Sequence, residues 1–181
     1  MTCSRGSSSA TCGGRKQGAG GTMALFLSTF ENKVDKKGRV SVPASFRTTV
    51  ASSHFQGVAL YCHPQLQCLE GADISFLEQL SNRLYEDYGL FDADQLSVAT
   101  TLLADSCQLA FDSEGRILLP ASMRDFMGLD GFATFVGLGP RFQIWEPAAF
   151  AAHREEQRRL AADKISALPP FGRRGDPGGR S

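Results

Sequence analysis

What this sequence lacks narrows its function before any motif is read. Its three histidines, His54, His63 and His153, lie far apart, and its five cysteines include no C-x-x-C pair. A four-ligand zinc spacing is therefore missing. No apolar run approaches the roughly 20 residues of a membrane-spanning helix. Residues 1–22 also lack the apolar stretch, about 7–15 residues long, of a secretory signal. No G-x-x-x-x-G-K-[ST], G-x-G-x-x-G or G-x-S-x-G segment occurs, so the common phosphate cradles and the nucleophile elbow are not available. Nor is there an excess of one charge: 19 Lys+Arg balance 19 Asp+Glu, which does not suit a uniformly basic nucleic-acid-binding domain. An odd cysteine count without a signal segment favours reduced thiols in the cytosol. The expectation is a chain with no metal, no cofactor, no small-molecule substrate, no catalysis and no membrane partner.

What is present is unevenly spread. Residues 1–22 carry Arg5, Arg15 and Lys16 and no acid, whereas the body from Met23 to Leu168 is net acidic. The tail from Pro169 carries Arg173, Arg174 and Arg180 against Asp176. With six Gly and four Ser, residues 1–22 have almost nothing to bury and read as disordered. They read equally well as sequence upstream of a true start at Met23, where an apolar run begins. The Pro/Gly-rich residues 169–181 read as a flexible basic tail.

The dominant signal is a repeat. Residues 35–47, DKKGRVSVPASFR, match residues 112–124, DSEGRILLPASMR, without a gap. Asp35/Asp112, Gly38/Gly115, Arg39/Arg116, Pro43/Pro120, Ala44/Ala121, Ser45/Ser122 and Arg47/Arg124 are identical, and three further positions exchange one apolar side chain for another. Asp-x-x-Gly is a tight turn, because Asp can accept from the backbone two residues on and Gly supplies a positive φ. Val40–Val42 and Ile117–Leu119 read as strands leaving that turn, and Leu27–Val34 and Ser106–Phe111 as strands entering it. Pro43 and Pro120 suit the first position of a short helix.

The second halves agree more loosely. Gly57–Tyr61 parallels Gly131–Phe135, and Gln67–Glu70 parallels Gln143–Glu146, each pair reading as a hairpin. An amphipathic helix follows each hairpin, over about Ile74–Tyr88 and Pro147–Leu168. Phe91–Leu103 reads as a helical or mixed connector. One copy alone would bury little core, so the two copies are expected to pack about a pseudo-two-fold axis.

Taken together, an apolar strand, D-x-x-G-R, apolar residues, P-A-x-(Phe/Met)-R, a hairpin and a helix, present twice, resemble the MraZ family over Met23 to about Leu168. The resemblance implies an α+β fold: two tandem AbrB-like (SpoVT-type) swapped-hairpin units forming a pseudo-two-fold β-barrel core with flanking amphipathic helices. The first unit would span 27–90, the connector 91–105 and the second unit 106–168. It further implies a cytoplasmic, nucleoid-associated transcriptional regulator. Such a protein would bind repeated short double-stranded DNA sites upstream of the division and cell-wall gene cluster, as a homo-oligomeric ring.

Residue by residue, Arg39 and Arg116 match the D-x-x-G-R arginine that the resemblance makes the principal DNA contact. Lys33, Lys36 and Lys37 flank Arg39, whereas Ser113 and Glu114 replace the two turn lysines in the second copy. The first copy should therefore supply most of the affinity. Asp35, Gly38, Asp112 and Gly115 shape the turns. Arg47 and Arg124 could reach DNA, but pairing with an acid near the internal two-fold is the preferred reading. Trp145, Phe142 and Ile144 read as core or interface, His63 as a turn residue, Cys62 and Cys68 as apolar fillers, and HREEQRR as a solvated helix face. An AbrB-like interaction module, antitoxin-like and binding mainly a protein, is the alternative function.

Overall fold

A computed structural model of the chain describes residues 25–87 and 92–166. The expectations for residues 1–22, Met23, Tyr88, Phe91, Leu168 and the basic tail lie outside them. The first copy runs β1 (Thr29–Lys33), β2 (Arg39–Ser41), α1 (Ala44–Thr49), β3 (Gly57–Cys62), β4 (Leu69–Ala72) and α2 (Ile74–Asp87). A helical connector follows, α3 (Ala93–Ala99), prolonged by a π-wound turn over Thr100–Ala104. Asp92 caps α3 by accepting from the Asp94 and Gln95 N–H groups. The second copy repeats the order as β5 (Cys107–Ala110), β6 (Arg116–Leu118), α4 (Ala121–Met127), β7 (Phe132–Gly137), β8 (Arg141–Trp145) and α5 (Pro147–Ser166).

Strand pairing interleaves the copies. A six-stranded antiparallel sheet has the order β1-β7-β8-β4-β3-β5, and β2 pairs with β6 in a separate two-stranded ribbon. Each entering strand thus pairs with the hairpin of the other copy: β1 with β7 and β5 with β3. The register is symmetric about two points. Val40 faces Ile117, its own repeat counterpart, and Glu70 faces Gln143.

The expected closed barrel does not form among the described residues. β1 and β5 end as the two edges of the sheet, and the β2–β6 ribbon forms a second sheet, tied to the end of β1 by the isolated Val34–Val40 bridge. The architecture is a mixed α+β fold on an antiparallel sheet. Val40 and Ile117 of the ribbon cover the core.

The hairpin correspondence also shifts. Phe30 answers to Cys107 in the repeat; Phe30 pairs with Phe135 and Cys107 with Leu60. Leu60 therefore answers to Phe135, not to Thr134, and through the hairpins Glu70 answers to Gln143, not to Glu146. Side-chain alternation enforces this: a one-residue slip would turn Leu60 or Phe135, both fully buried, out of the core. Pro43 and Pro120 sit at the N-caps of α1 and α4, one place before the expected position. The Pro43 carbonyl accepts from the Phe46 and Arg47 N–H groups.

One face of the sheet packs on the ribbon and the two short helices. Phe46 of α1 is fully buried and meets Phe26, Phe30, Phe135 and Phe142 at centroid distances of 5.2, 5.6, 6.3 and 5.2 Å. Val40, Ile117, Met123 and Met127 complete this core. On the other face Ala59 and Tyr61 pack against Ile74 and Leu77 of α2. Trp145 meets Phe150 and stacks on His153 of α5 at 4.7 Å. Between them lies a buried polar chain: Trp145 Nε1 donates to Gln143 Oε1 at 2.9 Å, and Gln143 Nε2 donates to Glu70 Oε1 at 2.7 Å. Burial pushes the nearby Cys68 thiol up to about 12, so it stays protonated as an apolar filler. His63 is a turn residue, its Nδ1 accepting from the Gln65 and Leu66 N–H groups.

Candidate nucleic-acid interface

The two Asp-x-x-Gly-Arg turns have the same hydrogen bonds. In the first, Asp35 Oδ1 accepts from the Lys37 and Arg39 N–H groups, both at 2.9 Å, and Oδ2 accepts from Arg39 Nε at 2.7 Å. The Gly38 N–H donates to the Asp35 carbonyl at 2.9 Å, with Gly38 at φ 88°. In the second, Asp112 Oδ1 accepts from the Glu114 and Arg116 N–H groups, and Oδ2 from Arg116 Nε at 2.8 Å. Gly115 closes that turn at φ 72°. The carboxylates thus do two jobs: they build the turn and hold an arginine by its Nε.

These bonds explain the acidities. The backbone N–H of Arg39, then its side chain, holds the Asp35 carboxyl down at about 2. The equivalent groups of Arg116 lower that of Asp112. Hydrogen bonding to Asp112 raises the Arg116 pKa, with smaller contributions from Glu114 and Asp35. The turns are close enough to feel each other.

Their placement follows from the ribbon. Arg39 lies opposite Leu118 and Arg116 opposite Ser41, so all four share the outward face while Val40 and Ile117 point into the core. Such diagonal neighbours have Cα atoms about 7–8 Å apart, which brings Arg39 and Arg116 onto one surface. Lys33, at the end of β1, and Lys36 and Lys37, on the turn, are exposed. Over residues 33–39 four cations oppose one acid, a net charge of +3; over 110–116 one cation opposes two acids, a net charge of −1.

The flanks change what each arginine can offer. Among the described residues Arg39 pairs with Asp35 alone. Arg116 has Nη1 taken by Glu114 Oε2 at 2.5 Å in addition to its bond to Asp112. A guanidinium with a free Nη edge can donate bidentately to a guanine or straddle a phosphate. Arg39 retains that edge, and Arg116 shares it with an acid.

Arg47 and Arg124 do not make the expected ion pair: no acid lies within 4.0 Å of either among the described residues. Each packs instead on the turn glycine of the other copy. A Cβ on Gly38 would lie 2.9 Å from Arg124 Nε, and one on Gly115 would collide with Arg47 Nη1. Both Nε atoms are buried without a hydrogen-bond partner. The backbone makes the same crossing, Leu119 N–H donating to the Gly38 carbonyl and Val42 N–H to the Gly115 carbonyl. Identity of both glycines and both arginines in the repeat was the available signal; their exchanged partners were not readable from it.

A family model described as "MraZ protein, putative antitoxin-like" matches residues 102–167. A transcriptional regulator MraZ of Phenylobacterium zucineum (strain HLK1) is 41% identical over 146 residues, covering 80% of this chain and 89% of the relative. One from Rickettsia canadensis (strain McKiel) is 37% identical over 146 residues, covering 81% and 97%. One from Pelagibacter ubique (strain HTCC1062) is 42% identical over 137 residues, covering 76% and 88%. These relatives are named as regulators, not as enzymes.

Proposed function

The chain belongs to the MraZ family of transcriptional regulators, and from that premise we propose that it binds double-stranded DNA sequence-specifically through the outward face of the β2–β6 ribbon and its two turns. The single observation that carries this reading is Arg39, held by Asp35 with its Nη edge free, inside a cluster of net charge +3. Arg39 reads base edges, while Lys33, Lys36 and Lys37 neutralise phosphates and set orientation. Arg116 makes the weaker second contact, and Asp35, Gly38, Asp112 and Gly115 hold the two turns. The pairing symmetry supports two tandem AbrB-like swapped-hairpin units, over 27–90 and 106–168, joined by the connector 91–105. In this reading, the protein works in the cytoplasm on the nucleoid, as a ring over repeated short sites upstream of the division and cell-wall gene cluster. Assembly supplies what one small contact surface cannot, because linked sites raise effective concentration.

The test is a titration of DNA from upstream of the protein's own gene against a scrambled control, across a salt series, for chains starting at Met1 and at Met23. Selective binding by the Met23 form supports the proposal, with a log–log salt slope near −0.9 for each neutralised phosphate. Equal, weak binding to both DNAs, lost when residues 1–22 are removed, favours the second reading. That reading is an AbrB-like interaction module for a protein ligand, favoured by the "antitoxin-like" in the matched family description.

A further inference from the structure

We infer that Arg47 and Arg124 are positioning residues wired across the molecule: Arg124 of the second copy sets the first copy's turn, and Arg47 of the first copy sets the second's. The inference rests on the DNA-binding reading for its consequence and on geometry alone for its mechanism. Gly38 and Gly115 are each needed twice, once for a positive φ and once because a guanidinium occupies the place of a side chain. Both glycines are buried although they sit at turn tips, and the arginine of the opposite copy helps to cover each.

A planar guanidinium suits this role because it can lie flat on the peptide plane beside a glycine, which an ammonium cannot do. Burying Nε without a partner is unfavourable, so the contact must be maintained by the surrounding fold. Each arginine leaves the last turn of its short helix, α1 or α4. Phe46 and Met123, one place earlier, anchor those helices in the core. Core packing at Met123 is thereby transmitted through Arg124 to the turn that carries Arg39, and packing at Phe46 through Arg47 to the turn that carries Arg116. Neither turn keeps its shape without the other copy.

Hydrogen exchange on the free full-length protein tests the wiring directly. Arg124→Lys keeps the charge and should keep the fold, yet it should speed exchange of the Lys37, Gly38 and Arg39 amides about tenfold, the signature of a locally opened turn. The Glu114, Gly115 and Arg116 amides should be unaffected. Arg47→Lys should give the mirror pattern. Loosening of each arginine's own turn, or no change in either turn, overturns the inference, and because no DNA is present this outcome is independent of whether the DNA reading holds.

With DNA, Arg124→Lys should lower selectivity for the upstream site over the scrambled control while leaving the salt slope in place. Adding Arg39→Ala to it should then cost less than it costs in the wild-type chain, as coupled residues require. In Arg124→Met, which removes the charge, a slope reduced by about one contact with turn amides as protected as in the wild type would make Arg124 a direct phosphate contact, and would overturn its positioning role. Arg124→Ala and Arg124→Met, read in the same way, separate loss of the guanidinium from any misfit of the lysine.

Discussion

The turn at Asp35–Arg39 and the turn at Asp112–Arg116 share a skeleton and differ in their dressing. Both put two backbone N–H groups and one arginine Nε on a single carboxylate. Both close on a glycine of positive φ, and both lie under the arginine of the opposite copy. Around that skeleton the first turn adds three lysines, and the second adds an acid that takes Arg116 Nη1. Geometry and charge have therefore separated within one molecule. The residues that hold the backbone are the same in both copies, and so is the outward arginine; the charged residues flanking that arginine differ. The internal duplication acts as a built-in control, in which the same turn is presented once as strongly basic and once as slightly acidic.

The most damaging way to break this comparison removes what both turns stand on. Phe46→Ala should destabilise the protein by about 3–5 kcal/mol, the range for a buried phenylalanine, because four aromatic neighbours lose a partner. Denaturant unfolding measures it. Met123→Ala, at the equivalent position, should fall in the lower part of the range for large apolar truncations, about 2–5 kcal/mol, since Met123 makes no comparable ring cluster.

Arg39→Ala should remove selective DNA binding with the melting temperature little changed. A lost base-reading arginine weakens binding by about 1–3 kcal/mol for each engaged subunit. Arg116→Ala should lose less in the same titration. Equal losses would show that Glu114 does not silence Arg116, and the asymmetry between the turns would have no functional meaning.

Glu114→Lys sharpens the comparison in the other direction. It frees Arg116 Nη1 and adds a cation, so affinity should rise and the salt slope should steepen by about 0.9 for each new phosphate contact. An unchanged slope would place the second turn away from the DNA backbone.

Acid should have the mildest effect, and it acts on both turns. The Asp35 carboxyl is held down at about 2, below its ordinary value of 3.8. A lowered folded-state value means that its contribution to the turn is full above the ordinary value and is lost as pH falls through the folded one. Exchange of the Lys37 and Arg39 amides should therefore be indifferent to pH above 4, after correction for intrinsic rates, and should show turn opening only between about 4 and 2. The lowered Asp112 carboxyl should give its turn the same direction of change. Opening near neutral pH would mean that Asp35 is not the acceptor that holds the turn.

Much of this fold was legible because its signals are local. The Asp-x-x-Gly turns, the Pro-led short helices and the amphipathic α2 depend on residues within a few positions of one another. Their expected bounds agree with the structure to within one or two residues where those residues are described. The hairpin correspondence was less legible. The first hairpin's connection, 63–68, is longer than the second's, 138–140, and Leu-Glu against Trp-Glu is too weak a match to fix the register. The barrel was expected from the resemblance, and the pairings leave β1 and β5 as open edges. At the candidate interface, Arg39 and its lysines stood out as a charge cluster. The roles of Arg47 and Arg124 did not, since an arginine beside a helix end reads the same whether it meets an acid, a phosphate or a glycine.

By itself the sequence determined the duplicated unit, the two turns, the family and the excess of positive charge at Lys33–Arg39, because each is a matter of residue type and short spacing. Only the tertiary structure decided which strand pairs with which, that Glu70 faces Gln143, and that each copy's arginine covers the other copy's turn. Those outcomes depend on contacts between residues from 68 (Arg47 and Gly115) to 107 (Thr29 and Val136) positions apart. Alternation along a strand says which face is buried but not against whom; burial of the Phe46 and Leu60 faces in one shared core selects the partner.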